Sequence, residues 1–168
     1  MHRHRITAVA FVFLFLPLLS AQTPAAAGGS ALQVHLDYTG SGTVDRNHVI
    51  LVALWDSPDF VKPNADTKPF AVQRLTSKSG SVKFEHVTQN PVYVSCAYDP
   101  TGNWKGDSPP PDGSSLGLYS TQPGEPAAVN LKPGKATKVS FKLDDSFKKT
   151  PPPPQYRPAL VVCFHGLC

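Results

Sequence analysis

The feature that most constrains the fold is a series of short segments in which apolar and polar residues alternate, each bounded by Gly, Pro, Asn or Asp. LQVHLDY places Leu32, Val34 and Leu36 between polar partners, which is the period of a half-buried strand. HVILVALW and PVYVSCAY are almost continuously apolar, which is typical of central strands covered on both faces. The predicted strands are 32–38, 48–55, 69–75, 80–87, 91–98, 115–120, 127–131 and 137–143.

A helical fold is disfavoured by the same segments. None of them carries an apolar period of about 3.6 residues with capping residues, and interior prolines would cost a helix about 3 kcal/mol each. The turn KPGK joins the last two predicted strands. Seven or eight short strands separated by such turns predict an all-β fold, an antiparallel sandwich.

The two ends of the chain differ from its body. A basic start, an apolar run of fourteen residues and a stretch of small residues predict a signal peptide and leader over 1–30. Cleavage after Ala21 or after Ala27 fits equally well. The β-sandwich domain is predicted over 31–147, and a Pro-rich tail with a short apolar end, ALVVCFHGLC, over 148–168. We therefore expect an exported protein, periplasmic or extracellular, with no membrane span after signal cleavage.

The charge balance excludes a nucleic-acid partner. The sequence pI is about 9.0, but residues 31–147 carry eleven Lys and Arg against twelve Asp and Glu, a net charge of −1. The excess positive charge lies in the leader and the tail. A nucleic-acid surface needs basic residues gathered on the folded body, so we expect no such partner.

The cysteines and histidines predict structural roles. Cys96 lies within a strand pattern and is expected to be a buried free thiol, whereas Cys163 and Cys168 could close a small disulfide loop. The histidines show no metal-ligand spacing, and no nucleophile elbow, phosphate loop or dinucleotide fingerprint is present in the sequence. The sequence therefore predicts no enzyme.

One strand pair resembles a known family. TSKSGSVKFEHVTQNPVYVSCAYD is similar to the recurrent strand pair of transthyretin-like and carboxypeptidase-regulatory-like domains. The family positions are occupied by Gly80, Phe84, Val87, Tyr93 and Val94. The resemblance implies a transthyretin-like or Ig-like sandwich that serves as a binding, spacer or accessory module.

A second resemblance concerns the second predicted strand together with the segment after the fifth. VALWDSPDF followed by YVSCAYDPTGNWKGD is similar to a family of uncharacterised bacterial exported proteins with an Asp-x-Asn-Gly-Asn-Gly loop. This chain departs from that family at Asn90-Pro91, where a glycine is usual, and at Tyr98, where a histidine is usual. The resemblance covers roughly residues 32–143 and implies a fold more than a function.

The long loop of that resemblance offers oxygen ligands for a cation. Asp99, Thr101, Asn103 and Asp107 have a spacing that can wrap calcium, but Trp104 and Pro110 stand where the calcium loop needs Gly and Glu. Asp, Asn and Gly in this order are also ordinary turn formers. The expectation is therefore no cofactor, with calcium as the alternative.

The same loop could instead present a ligand-binding surface. We expect Tyr98, Asn103, Trp104 and Tyr119 to lie near one another there, and Trp55 to lie in the core. The sequence thus predicts an exported non-catalytic module that binds a protein or glycan of the cell envelope through its loops. The alternatives are a structural spacer without a ligand, or a calcium-binding or hydrolytic protein.

Overall fold

The computed structural model describes residues 29–62 and 66–151, which fold as two facing β-sheets and confirm an all-β sandwich. The predicted signal peptide up to residue 28, the Cys163–Cys168 disulfide and the tail from residue 152 lie outside these residues. The strands of the described part are β1 (Ser30–Tyr38), β2 (Ile50–Trp55), β3 (Ala71–Leu75), β4 (Ser79–Val87), β5 (Tyr93–Tyr98), β6 (Leu116–Leu118) and β7 (Ala136–Leu143), and a 3₁₀ helix spans Pro58–Val61.

The strands are divided between a smaller sheet A and a larger sheet B. Sheet A has the order β4-β1-β7, and sheet B has the order β3-β2-β5-β6. The two almost continuously apolar segments became β2 and β5, the central strands of sheet B, because strands in that position have both faces to cover. None of the helices within the described ranges is long and apolar enough to cross a membrane.

The prediction that the sandwich is entirely antiparallel is wrong for one pair. β1 and β7 run parallel, with Val34 opposite Val139 and Leu36 opposite Phe141. Parallel neighbours need a long connection, and the first and last strands have the whole domain between them. The remaining strand pairs are antiparallel.

The predicted strand 127–131 does not form. Val129 makes an isolated bridge to Val92, with N–H···O bonds of 3.1 and 2.8 Å. The side chain of Asn90 then accepts from the Leu131 N–H at 2.9 Å and donates to the Leu131 carbonyl at 3.2 Å. A side-chain amide therefore replaces a strand ladder here, although Val129 and Leu131 are buried as their apolar pattern indicated.

The core lies between the sheets and is built from every second residue of the strands. Leu32, Leu36, Val52 and Val94 are at most 1% exposed. Cys96 joins this core as a buried free thiol, as predicted, and burial raises the pKa of that thiol far above its ordinary value. Truncating a leucine in such a core costs about 2–5 kcal/mol, so these side chains hold the two sheets together.

Candidate functional site

Asp99 organises the long loop that follows β5. Its carboxylate is 1% exposed, and one oxygen accepts from the Thr101 N–H at 2.8 Å and the Thr101 hydroxyl at 2.7 Å. The other oxygen accepts from the Trp104 N–H at 2.9 Å. Burial acts to raise the pKa of Asp99, but these hydrogen bonds outweigh it and leave the pKa below its ordinary value. Asp99 is therefore a turn-forming residue that stabilises the loop from inside.

Three of the four predicted calcium ligands already form hydrogen bonds within the loop. The Thr101 hydroxyl is used by Asp99, the Asn103 amide donates to the Thr101 carbonyl at 3.3 Å, and Asp107 is exposed. Among the residues that the structure describes, no group of three His, Cys, Asp or Glu side chains is placed to hold a metal ion. Calcium binding by Asp99, Thr101, Asn103 and Asp107 stays an alternative that a melting experiment can test.

The four predicted ligand-binding residues do not share a surface. Tyr98 is only 8% exposed, stacks on Tyr38 with ring centroids 5.2 Å apart, and donates its hydroxyl to the Thr43 carbonyl at 3.0 Å. Tyr119 lies at the Val94 end of β5, whereas Trp104 follows the opposite end. The expectation that these residues lie together at the loop is wrong, because the length of β5 separates Tyr119 from Trp104 and the Tyr98 ring is turned into the core.

Trp104 closes its own loop. Its indole N–H donates to the Ser108 carbonyl at 2.8 Å, and its carbonyl accepts from Arg74 of β3 at 3.4 Å. A β-carbon at Gly106 would lie 3.3 Å from Leu51 and 3.4 Å from Val72, both in sheet B. The loop therefore lies on the outward face of sheet B and covers one end of it.

Asp145, which follows β7, bonds to two segments that are distant from it in the sequence. Its carboxylate accepts from the Tyr38 hydroxyl at 2.8 Å, the Ser41 N–H at 3.0 Å, the Ser41 hydroxyl at 2.8 Å and the Ser115 hydroxyl at 2.7 Å. Lys148 Nζ lies 3.2 Å from the same carboxylate. The bond from the Ser41 backbone, followed by that from Ser115, holds the pKa of Asp145 far below its usual range. This junction ties the β1 end to β7 and β6.

Gly40 allows that junction to form. A β-carbon there would overlap the Asp145 carboxylate and the Tyr38 ring, so a side chain at this position is excluded. The sequence showed Asp144-Asp145 after the last strand, but nothing in the pattern distinguished the two acids. Hydroxyl and carboxyl groups meet here, and their hydrogen bonds connect the loops to the end of β7.

The outward face of sheet A is polar. His35 lies 3.0 Å from the Ser81 hydroxyl, and Lys83 pairs with Glu85 at 2.6 Å. Strand alternation places ten polar side chains on this face: Gln33, His35, Asp37, Ser79, Ser81, Lys83, Glu85, Lys138, Ser140 and Lys142. This is the ordinary solvent-facing side of a sandwich.

The outward face of sheet B carries several apolar side chains, in contrast to that of sheet A. Gly117 faces the core, since a β-carbon there would meet Cys96 and Leu143, so Leu116 and Leu118 point outward. Trp55 and Tyr93 face each other across β2 and β5 on the same side. We call the surface formed by Trp55, Tyr93, Leu116 and Leu118 the apolar face; each of its residues is partly exposed.

The prediction that Trp55 lies in the core is wrong. Its neighbour Leu54 takes the inward position, so alternation turns the indole to the apolar face. The indole N–H donates to the Ser95 hydroxyl at 2.8 Å, and Phe60 stacks on the ring with centroids 5.0 Å apart and planes at 17°. A shallow cleft of about 280 Å³ lies beside this pair. The side chain is held in one orientation at the edge of the apolar face.

The apolar face leaves a pattern in the sequence, although the sequence prediction placed binding on the loops. ILVALW and YVSCAY are apolar at inward and outward positions alike. The long loop covers Leu51, which is 2% exposed, but the outward residues nearer Trp55 remain partly open. Two central strands that are apolar on both faces therefore indicated an apolar patch on the outward side of sheet B.

Comparisons with known proteins identify no family. No protein-family description matches the chain, and no curated protein matches its sequence. Among solved structures, the minor pilin GBS52 of Streptococcus agalactiae is similar at 13% identity and a TM-score of 0.27, over 75% of this chain and 48% of the pilin. The chain thus spans about half the length of that pilin, and a similarity this low carries no argument about function.

Proposed function

We propose that this protein is an exported, non-catalytic β-sandwich module that binds a protein partner of the cell envelope through the apolar face. The observation that carries the proposal is the contrast between the two outward faces. Sheet A is covered with charged and polar side chains, whereas Trp55, Tyr93, Leu116 and Leu118 stand partly exposed on sheet B. Apolar side chains that stay partly exposed together on one face of a sheet are a feature of interaction sites.

The chemistry of the apolar face favours a protein partner over a glycan. A sugar needs several hydrogen-bonding groups around an aromatic platform, because its hydroxyls must be satisfied when water leaves. On this face the Ser95 hydroxyl accepts from the Trp55 indole, and Phe60 already stacks on that indole. Apolar contacts remain, and completing the burial of each of these side chains contributes about 1 kcal/mol.

The cellular location rests on the leader and the charge of the body. Residues 1–30 combine a basic start, an apolar run and small residues in the order of a signal peptide. Export brings the domain to the envelope, where its near-neutral body has no basic surface to direct it to nucleic acid.

The experiment is site-specific photo-crosslinking in the organism that makes the protein. A benzophenone amino acid replaces Leu118 on the apolar face or, as the matched control, Ser140 on the polar face of sheet A. We expect a discrete protein adduct from position 118 that is absent at position 140 and lost when Tyr93→Lys is added. Equal adducts from both positions, a glycan adduct at position 118, or no adduct at all contradicts the proposal.

A further inference from the structure

We propose that the cleft between the edge strands β3 and β4 binds a neutral pyranose sugar. This site is separate from the apolar face and adds a second ligand to the protein partner proposed for that face. Three features of the molecule support it: the shape of the cleft, its mixed apolar and hydrogen-bonding lining, and a histidine in an unusual backbone conformation at its rim.

The cleft forms because β3 and β4 are the edge strands of different sheets. Near the turn that joins them the two strands lie close together, since a β-carbon at Gly80 would lie 2.7 Å from Leu75 Cδ1. Away from the turn β3 follows sheet B and β4 follows sheet A, and facing sheets are about 10 Å apart. The strands therefore diverge, and a cleft of about 260 Å³ opens between the start of β3 and the end of β4. We call it the edge cleft.

The edge cleft has an apolar floor and an aromatic rim. Phe84 and Val87 are 4% and 6% exposed and form the floor, whereas Phe70 is 37% exposed at the rim. Among the described residues that line the cleft, none is Lys or Arg, and the carboxylate of Glu85 is paired with Lys83 at 2.6 Å. This lining offers no cation to a negatively charged ligand and therefore favours a neutral one.

Two glutamine amides lie at opposite sides of the edge cleft. Gln73 occupies an inward position of β3, because Ala71 and Leu75 on either side of it pack against the core. Within the described ranges its amide has no hydrogen-bond partner. On the β4 side, the Gln89 carbonyl accepts from the Thr88 hydroxyl at 3.1 Å, which leaves its amide N–H groups to donate. Amides that both donate and accept match sugar hydroxyls, which do the same.

His86 is placed at the rim of the edge cleft by a β-bulge. The register of β1 and β4 shifts there, so Glu85 and His86 both lie opposite Ala31. His86 has a φ of 56°, and among the described residues it is the only one besides glycines with a positive φ. A β-carbon at Gly29 would lie 2.5 Å from His86 Cα, so the chain before β1 packs directly on this backbone. The fold keeps an imidazole where glycine would be less strained, which favours a binding role for the side chain.

These groups together supply what a pyranose ring requires. The C–H face of the ring packs on Phe70, and its hydroxyls bond to Gln73, Gln89 and His86 in place of water. The apolar face lacks such a set of polar groups, so the sugar is assigned to the edge cleft. The volume is below the roughly 300–1,000 Å³ of sites for drug-sized ligands, and it fits a single ring.

The experiment follows the amide NMR signals of the chain from Gly29 to Pro158 during titration with neutral sugars. The probes are the methyl glycosides of glucose, galactose, mannose and N-acetylglucosamine, and glucuronic acid is the charged comparison. We expect at least one neutral probe to shift the side-chain amide signals of Gln73 and Gln89 along a saturating curve. Glucuronic acid should shift them less, because the cleft offers its carboxylate no cation.

Variants of the edge cleft separate binding from folding. Phe70→Ala should raise the Kd of the sugar about tenfold and Gln73→Leu about fivefold. His86→Gly removes the imidazole and relieves the left-handed backbone, so the Kd should rise about fivefold while the Tm stays the same or increases. Gln33→Leu, on the polar face of sheet A, is the matched control and should leave the Kd unchanged.

Three outcomes overturn the inference. The first is the absence of a saturable shift of the Gln73 and Gln89 signals with every probe, and the second is a Kd that all three cleft variants leave unchanged. The third is a set of shifts confined to the apolar face around Trp55 and Tyr93. Leu118→Lys on the apolar face should leave sugar binding intact, so this titration and the photo-crosslinking experiment test the two sites independently.

Discussion

Replacing Asp145 by Asn tests whether the junction at the end of β7 holds the sandwich together. The carboxylate accepts four hydrogen bonds, from Tyr38, Ser115 and both the backbone and the hydroxyl of Ser41. Bonds to a charged group contribute about 1.5–3 kcal/mol each and neutral ones about 0.5–1.5 kcal/mol, so losing the charge costs about 1 kcal/mol per bond. The side chain is 25% exposed, which reduces the total, and we expect Asp145→Asn to destabilise the fold by roughly 3 kcal/mol.

The assay is thermal and urea unfolding of the chain from Gly29 to Pro158. A loss of roughly 3 kcal/mol lowers the Tm by roughly 10 °C for a domain of about 120 residues. The matched control is Asp144→Asn at the neighbouring residue. Asp144 accepts a hydrogen bond from the Ser146 N–H at 2.8 Å, which is a contact within its own segment. We expect the control to leave the Tm nearly unchanged.

The pH dependence of the same variant follows from the lowered pKa of Asp145. A carboxylate with a folded pKa below its unfolded value of about 3.9 stabilises the fold fully above that value. The stabilisation is lost as pH falls through the lower folded pKa. The difference between wild type and Asp145→Asn is therefore constant from about pH 5 to 8 and shrinks below about pH 4. An Asp145→Asn protein as stable as Asp144→Asn, or a difference independent of pH down to pH 2, refutes the account of this junction.

Three further predictions concern Gly40, the loop organised by Asp99, and Cys96. Gly40→Ala should destabilise the fold by at least as much as a typical core substitution, about 1–3 kcal/mol, because its methyl group overlaps Asp145; an unchanged urea midpoint contradicts this. Millimolar calcium should leave the Tm unchanged, since the Asp99 oxygens are already hydrogen-bonded; binding with a Kd hundredfold below the calcium concentration would instead add about 2.7 kcal/mol, reversed by chelator. In the chain ending at Pro158, Cys96 should react with a thiol reagent at pH 8 only on unfolding, because burial raises its pKa; rapid labelling of folded protein contradicts this.

The alternation of apolar and polar residues, in segments bounded by Gly, Pro, Asn or Asp, was sufficient to predict a β-sandwich. The central position of β2 and β5 followed from their continuous apolar runs, and the burial of Cys96 followed from its place in one of them. Each of these features depends on the residues within one strand. The parallel pairing of β1 with β7 depends instead on the path of the chain between them, which local pattern does not encode.

The candidate site was harder to predict because it depends on which face each residue takes. Trp55 follows a buried strand and was expected inside, but its position one residue after Leu54 turns it outward. The loop from Asp99 to Asp112 suggested ligand binding by its composition, yet its side chains bond one another and its Gly106 rests on Leu51 and Val72. The residue types of a loop indicate that the chain turns there. They do not indicate whether the loop faces water or packs against a sheet.

The Asp145 junction could not be predicted because its partners are distant in sequence. Tyr38, Ser41 and Ser115 lie 30 or more residues away, and each is an ordinary residue in its own segment. The apolar face, in contrast, left a signal in two strands that are apolar at every position but one. Counting the apolar residues on both faces of a predicted strand would have indicated it.

The most direct test of the apolar face is its exposure in solution. The chain from Gly29 to Pro158 is labelled at its leucine methyl groups, and a soluble paramagnetic agent broadens the NMR signals of methyl groups in contact with water. We expect strong broadening for Leu116 and Leu118, and little for Leu51 beneath the loop or Leu54 in the core. Leu116 and Leu118 signals as protected as that of Leu54 would contradict an open apolar face and the binding function inferred from it.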